Sequence, residues 1–268
     1  MKFLQRLKIK FATKGRIKNT PPVKKYAVVV GATSSLAYAL CHQLAQQSIN
    51  LVLVARNKKE LERLKKDIVI RNDVEVTCVV LDLLNAQQNI ENFVEQLFKP
   101  KRPVDMFFMV AGDVGDMGYQ ERPSNIEAVT RINYTTPAKI LTAAAEAMVN
   151  QERKGVIVVV SSVAGDRGRQ SNYVYGSAKA ALNSLASGLR NKFFGRGIHV
   201  VTIKPGFIDT PMTYGMHNSL IASREMVAKS IIRAAVRKKN IAYVPTRWHF
   251  IMAIICHIPE WLFKRLSL

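Results

Sequence analysis

The sequence predicts a doubly wound α/β domain, a parallel sheet with helices on both faces. Short β-branched runs alternate with longer segments of helical period from Lys25 to Val244. Several runs are continuously apolar, such as Val28-Val29-Val30 and Val156 to Val160, as strands covered on both faces must be. The 268 residues fit one such domain with appendages, and no internal repeat or low-complexity linker divides it.

Strands are expected at 26–30, 51–55, 74–80, 104–110, 155–161 and 198–203, with a weaker one at 241–244. Helices are expected between them at 35–48, 57–71, 86–98, 123–150, 173–194 and 224–238. The domain thus covers residues 25–245, between a basic arm at 1–24 and an apolar tail at 246–268. With 48% apolar residues the chain buries a sizeable core and is not disordered. Cys41, Cys78 and Cys256 lie far apart with no CxxC spacing. A disulfide framework or a metal site is therefore not expected, and a reducing, cytoplasmic compartment is.

A formal net charge of +21 calls for a polyanionic partner, either a nucleic acid or an anionic membrane. Residues 1–25 hold nine basic side chains and no acid. Among them Phe3, Leu4, Leu7 and Phe11 recur at helical spacing, so the arm reads as an amphipathic helix on an anionic bilayer or as a disordered basic segment. Beyond Phe3 and Phe11 no aromatics interleave with the charge and no recognition module is present, so no nucleic-acid partner is expected. No stretch reaches the ~18 apolar residues of a spanning helix. In the tail, His249 to Ile258 is almost wholly apolar, Pro259 breaks it, and Trp261, Leu262, Phe263 and Leu266 follow beside Lys264 and Arg265. That pattern fits two helices lying in a membrane interface on the inner face, or a tail packed on a partner subunit.

The first strand runs into Gly31-Ala32-Thr33-Ser34-Ser35-Leu36-Ala37 and then a helix. Small residues there let the backbone approach a pyrophosphate at the helix start. The second strand ends in Arg56, where an NAD-type site would place an acid for the ribose 2′-hydroxyl. An arginine suits a 2′-phosphate, so NADPH is the expected cofactor. Asp82, just past the third strand, is placed to accept from an adenine amino group, and Ala111-Gly112 after the fourth lets the chain pass close to a nucleotide.

The fifth strand leads to Ser162, and Tyr175 follows thirteen residues later, with Lys179 four beyond it. On a helix i and i+4 share a face, so the ammonium sits beside the phenol. A neighbouring positive charge is expected to lower the tyrosine pKa toward neutrality and fit it for proton transfer to an alcohol oxygen. Ser162 would hold that oxygen. Pro205, Gly206, Ile208 and Thr210, at the end of the sixth strand, would bracket a nicotinamide.

With these residues in place, 26–245 resembles the short-chain dehydrogenase/reductase superfamily and its Rossmann fold. The resemblance implies hydride transfer from C4 of the nicotinamide with Tyr175 as the acid. It implies a fourth catalytic position at Asn133, holding a water that links Lys179 to solvent. It also implies phosphate and ribose contacts at Thr33, Ser34 and Leu36, a carboxamide contact at Thr210, cofactor contacts at Tyr175 and Lys179, and a homo-oligomer. Three positions depart from the family pattern: Ser35 and Ala37 replace loop glycines, and Val110 replaces the asparagine before Ala111-Gly112.

A narrower likeness lies in Ser161-Ser162-Val163-Ala164-Gly165-Asp166-Arg167, in Ser171 to Ser177, and in the tail from His257 to Leu266. These segments are similar to the decaprenylphosphoryl-2-keto-ribose reductases. The likeness implies a ketone reductase for a polyprenylphosphate-linked 2-keto sugar, working beside a partner oxidase in a two-step epimerisation. Arg167 and Arg169 would then meet a lipid phosphate, or else are surface charges or bond local carbonyls. A 3-ketoacyl, 3-ketosphingoid or sterol ketone remains open as substrate, and so does a non-catalytic NADPH-binding membrane scaffold. The segment Pro211–Ser223, with Met212, Tyr214, Met216 and His217, does not choose between them.

Overall fold

The computed structural model describes residues 24–86, 89–99, 102–114, 123–215 and 219–267. The basic arm expected at 1–24 lies outside the described residues except for Lys24. Seven strands form one wholly parallel sheet: β1 (Lys25–Val30), β2 (Ile49–Ala55), β3 (Val76–Val80), β4 (Val104–Met109), β5 (Val156–Val160), β6 (His199–Pro205) and β7 (Ile241–Val244). Their order is β3-β2-β1-β4-β5-β6-β7. A parallel sheet needs a crossover between every pair of strands, and the helices that make them cover both faces.

One face is packed by α1 (Ser35–Ala45), α2 (Lys58–Arg71) and α7 (Arg224–Val236), through residues such as Leu40, Leu44, Leu61, Ile68, Val227 and Ile231. The other carries α3 (Ile90–Leu97), α5 (Thr136–Asn150) and α6 (Tyr173–Phe194), through Phe93, Leu97, Ile140, Leu141, Leu182 and Phe193. Strand runs that read as continuously apolar are buried on both sides, β2 along its whole length. β3 is an edge, and its Thr77 and Val80 are exposed.

The segment expected as one helix over 123–150 is α4 (Pro123–Thr130), a π turn at Arg131–Thr135, and α5. A π turn inserts one residue into the helical ladder and rotates the turns beyond it, a device found at functional sites. Asn133 sits in it, fully buried. Beyond β7, α8 (Arg247–His257) and α9 (Glu260–Phe263) flank Pro259, as the tail pattern implies. Among the described residues no helix is long and apolar enough to cross a membrane.

Two glycines bring the loop after β5 against α6. A Cβ on Gly165 would stand 2.7 Å from the Lys179 carbonyl carbon and 2.8 Å from the Ala180 nitrogen, and one on Gly176 would stand 2.9 Å from the Ala164 oxygen. Bonds from Asn183 Nδ2 to the Gly165 carbonyl (3.3 Å) and from Ser161 Oγ to the Lys179 carbonyl (3.3 Å) fasten the seam. A helix-interior glycine costs about 1 kcal/mol against alanine, so Gly176 is retained for this close approach. Gly165→Ala is expected to cost about 1–3 kcal/mol by overpacking, read as a fall of several degrees in Tm. Gly168→Ala, whose Cβ would meet nothing within 4 Å, serves as the control with Tm unchanged.

Candidate active site

Sheet order reverses between β1 and β4, and the loops leaving these strands meet there, at the position where open α/β sheets bind ligands. Gly31 has φ +85°, and a Cβ on it would stand 2.7 Å from the Ala111 backbone, so the two loops touch. Val110 and Ala111 N–H both donate to the Val30 carbonyl, at 2.9 and 3.1 Å.

Ser34 caps α1, its Oγ accepting from the Ala37 N–H at 3.3 Å. The N–H groups of Ser35 and Leu36 donate to nothing among the described residues, so they stay available at the positive end of the helix. Thr33 and Ser34 are exposed beside them. Arg56 is exposed at the end of β2 and pairs with no acid among the described residues. Asp82 is half-buried, and its carboxylate holds a local turn, accepting from Leu84 N–H (3.0 Å) and Asn85 Nδ2 (2.9 Å). These donors fit the phosphates of a dinucleotide.

Ser162, Tyr175 and Lys179 converge as their spacing implies. Lys179 is 2% exposed, its Nζ 5.5 Å from the Tyr175 ring centroid. A Cβ on Gly112 would stand 3.0 Å from that Nζ and 3.2 Å from Asn133 Oδ1, so Gly112 makes the room in which the two meet. Asn133 fastens the loop after β4: its Oδ1 accepts from Asp113 N–H at 3.1 Å, and its Nδ2 donates to the carbonyls of Asp113 (2.5 Å) and Val129 (2.8 Å). Ser162 Oγ accepts from the Ala164 N–H at 3.1 Å and faces the phenol.

The electrostatics reverse one expectation. Burial pushes the Tyr175 phenol up to about 12, with a further rise from Asp113, while Ser162 pulls it down. Burial also pushes Lys179 down to about 8. Spacing on a helix shows that an ammonium stands near a phenol, but not how far each is desolvated. Desolvation opposes charge on each and is the largest cause of both shifts. Tyr175 is therefore a protonated donor at neutral pH, the state that reduction of a carbonyl requires.

Sequence reasoning missed a polar cluster beneath this site. Asp166 pairs with Lys204 Nζ at 2.5 Å and accepts from Tyr243 OH at 2.8 Å, with only 12% of the lysine and 8% of the aspartate side chain exposed. It joins the Ser162 loop to β6, one residue before Pro205-Gly206, and to β7. Burial and the Asp166 bond raise the Tyr243 phenol. Trp248 was also missed: its indole lies so close to Gly206 that a Cβ there would overlap it, 1.9 Å from Cε2. Gly206 N–H bonds the Val244 carbonyl at 3.0 Å, Ile208 bridges to Ala222, and Thr210 opens a short 3₁₀ turn at Pro211–Thr213. Residues 216–218 of the covering segment lie outside the described ones.

Arg167 is not free to meet a phosphate. Its Nη1 donates to the Ile255 and Ile258 carbonyls, both at 2.6 Å, and its Nη2 pairs with Glu260 at 2.9 Å. Its guanidinium stacks 3.7 Å from the Phe263 ring centroid. The end of α8 exposes unpaired carbonyls that a buried arginine satisfies, and the local-carbonyl reading holds. Arg169 is half-buried, with its Nε out of solvent and without a partner among the described residues, and burial lowers its pKa.

Fold and site together define an oxidoreductase with a dinucleotide crevice and a Ser-Tyr-Lys centre. Residues 25–219 match the family described as short chain dehydrogenase, and the chain belongs to that family of NAD(P)-dependent oxidoreductases. It is 30% identical over 241 residues to an uncharacterized oxidoreductase of Mycobacterium tuberculosis, covering 89% of this chain and 96% of the relative. It is 28% identical over 247 residues to the 3-ketodihydrosphingosine reductase of Mus musculus, covering 86% of this chain and 74% of that one. A solved short-chain dehydrogenase from Sphingobium yanoikuyae in complex with NADPH shares the fold, with TM-score 0.74 and 21% identity over 88% of this chain and 97% of that one.

The Lys179 value sets a pH limit. The ammonium supports the phenolate that forms when Tyr175 gives up its proton, and a neutral amine does not. The kcat/KM for ketone reduction is expected to stay level up to about pH 8 and fall above it as Lys179 deprotonates. Initial rates across a buffer series at fixed ionic strength check this.

Proposed function

We propose that the chain reduces a lipid-type ketone to a secondary alcohol with NADPH at a membrane surface. The substrate we favour is a polyprenylphosphate-linked 2-keto sugar. The observation that carries the reductase reading is the convergence of Ser162 and Lys179 on Tyr175. The exposed Arg56, with no acid in its place, supports the 2′-phosphate of NADPH. NADPH, when bound, supplies the hydride to the carbonyl carbon.

The chain's own residues do the rest. The free N–H groups of Ser35 and Leu36 hold phosphate, while Pro205, Gly206, Ile208 and Thr210 line the nicotinamide end. Ser162 orients the ketone oxygen through its hydroxyl. Tyr175 passes its proton to that oxygen as negative charge develops, and Lys179 supports the resulting phenolate. Asn133 keeps the Asp113 loop, and with it Gly112, beside the lysine.

The likeness to segments of the decaprenylphosphoryl-2-keto-ribose reductases supports the keto-sugar substrate and a partner oxidase upstream. A 3-ketosphingoid base is the second reading, favoured by the Mus musculus relative.

NADPH oxidation with a panel of a polyprenylphosphoryl 2-keto sugar, a 3-ketosphingoid base, a 3-ketoacyl thioester and a sterol ketone decides among these. We expect turnover of the keto sugar, with Tyr175→Phe lowering kcat by about 10²-fold or more while NADPH still binds. Preference for the sphingoid ketone would select the second reading. Equal rates for wild type and Tyr175→Phe would remove the enzymatic one.

A further inference from the structure

The helix α8 carries two apolar faces. Trp248 and Met252 point inward, onto Val163, Phe207 and Tyr243. Phe250, Ala253, Ile254 and His257 recur at i, i+3, i+4 and i+7, and this second stripe stands in solvent, Phe250 being 66% and Ile254 70% exposed. Past Pro259 the same character continues in Trp261, 62% exposed, and in Leu262 and Leu266. So many exposed large apolar side chains within so short a segment mark an interface.

Charge selects what covers it. Lys264 and Arg265 are exposed beside Trp261. The only acid in residues 246–268 is Glu260, already paired with Arg167. Two copies of a chain of net charge +21, meeting on this face, would set like charges against each other. An anionic headgroup layer complements the face, with the aromatic at headgroup depth and the aliphatics below it.

We propose that the outer face of α8 and α9 seats on an anionic bilayer. Arg167 and Trp248 then hold the catalytic loops to the seated helices, so that the Ser162 mouth opens at the lipid surface. Arg167 belongs to the Ser162 loop and grips the end of α8 at two carbonyls, Glu260 and Phe263. Trp248 lies against Gly206 at the nicotinamide end. The inference rests on the proposed membrane-surface function and specifies its docking surface, yet it is tested without turnover.

The chain holds two tryptophans, of which Trp248 is 3% and Trp261 62% exposed, so quenching from the lipid side separates the docking residue from the buried one. Full-length protein is titrated with phosphatidylcholine/phosphatidylglycerol vesicles, with and without brominated acyl chains. We expect a blue shift on binding and loss of roughly half the emission to brominated lipid, because one of the two indoles reaches the interface. Trp261→Phe should abolish that loss while leaving co-sedimentation with the vesicles. Phe250→Ser with Ile254→Ser should weaken vesicle binding by about tenfold or more. Absence of vesicle binding, binding without quenching of Trp261, or an oligomer in solution that dissociates in the double serine variant would overturn the proposal. No ketone enters this readout, so its failure is distinguishable from failure of the substrate assay.

Discussion

A lysine held inside the protein, with no carboxylate partner among the described residues, is the constraint on which the site is built. Lys179 sits between Tyr175 and Gly112, with Asn133 alongside, and no acid pairs with it among the described residues. An unpaired buried charge is costly, and the cost appears as a lysine whose pKa is pushed down to about 8. The same exclusion of water keeps the Tyr175 phenol protonated. Two groups shifted in opposite directions by burial leave a neutral phenol that holds its proton beside a lysine that gives up its own more readily than usual.

Much of the surrounding structure serves that arrangement. Gly112 leaves space for the ammonium, the π turn brings Asn133 to the backbone of Asp113, and Gly165 and Gly176 let the Ser162 loop lie against α6. Below, Asp166 ties that loop to β6 through Lys204 and to β7 through Tyr243. Arg167 and Trp248 extend the framework to the C-terminal helices. The Ser162 loop is thus fixed to α6, to β6 and β7, and to the C-terminal helices.

Much of the fold was legible because buried parallel strands are continuously apolar and the covering helices are periodic. The Tyr175–Lys179 pair was legible because i and i+4 share a helix face wherever the helix lies. The break at Asn133 was not, since a single inserted residue leaves no change in apolar period. The sign of the Tyr175 shift was missed because spacing records neighbours and not desolvation. The sequence left Arg167 open between a lipid phosphate and carbonyls, since the carbonyls it bonds lie at the end of a helix some ninety residues away. Trp248 sits in the tail at no recognisable spacing from Gly206, and only the fold brings them together.

The most direct test of this account is the titration of Lys179 itself, followed by NMR in protein carrying 13Cε-labelled lysine, with Lys179→Met to assign the signal. The account predicts one lysine that titrates near pH 8, well below the rest, in the intact fold. A Lys179 signal titrating with the surface lysines, near the ordinary value of about 10.4, would contradict it, because the amine would then be solvated and could not act as the buried cation described.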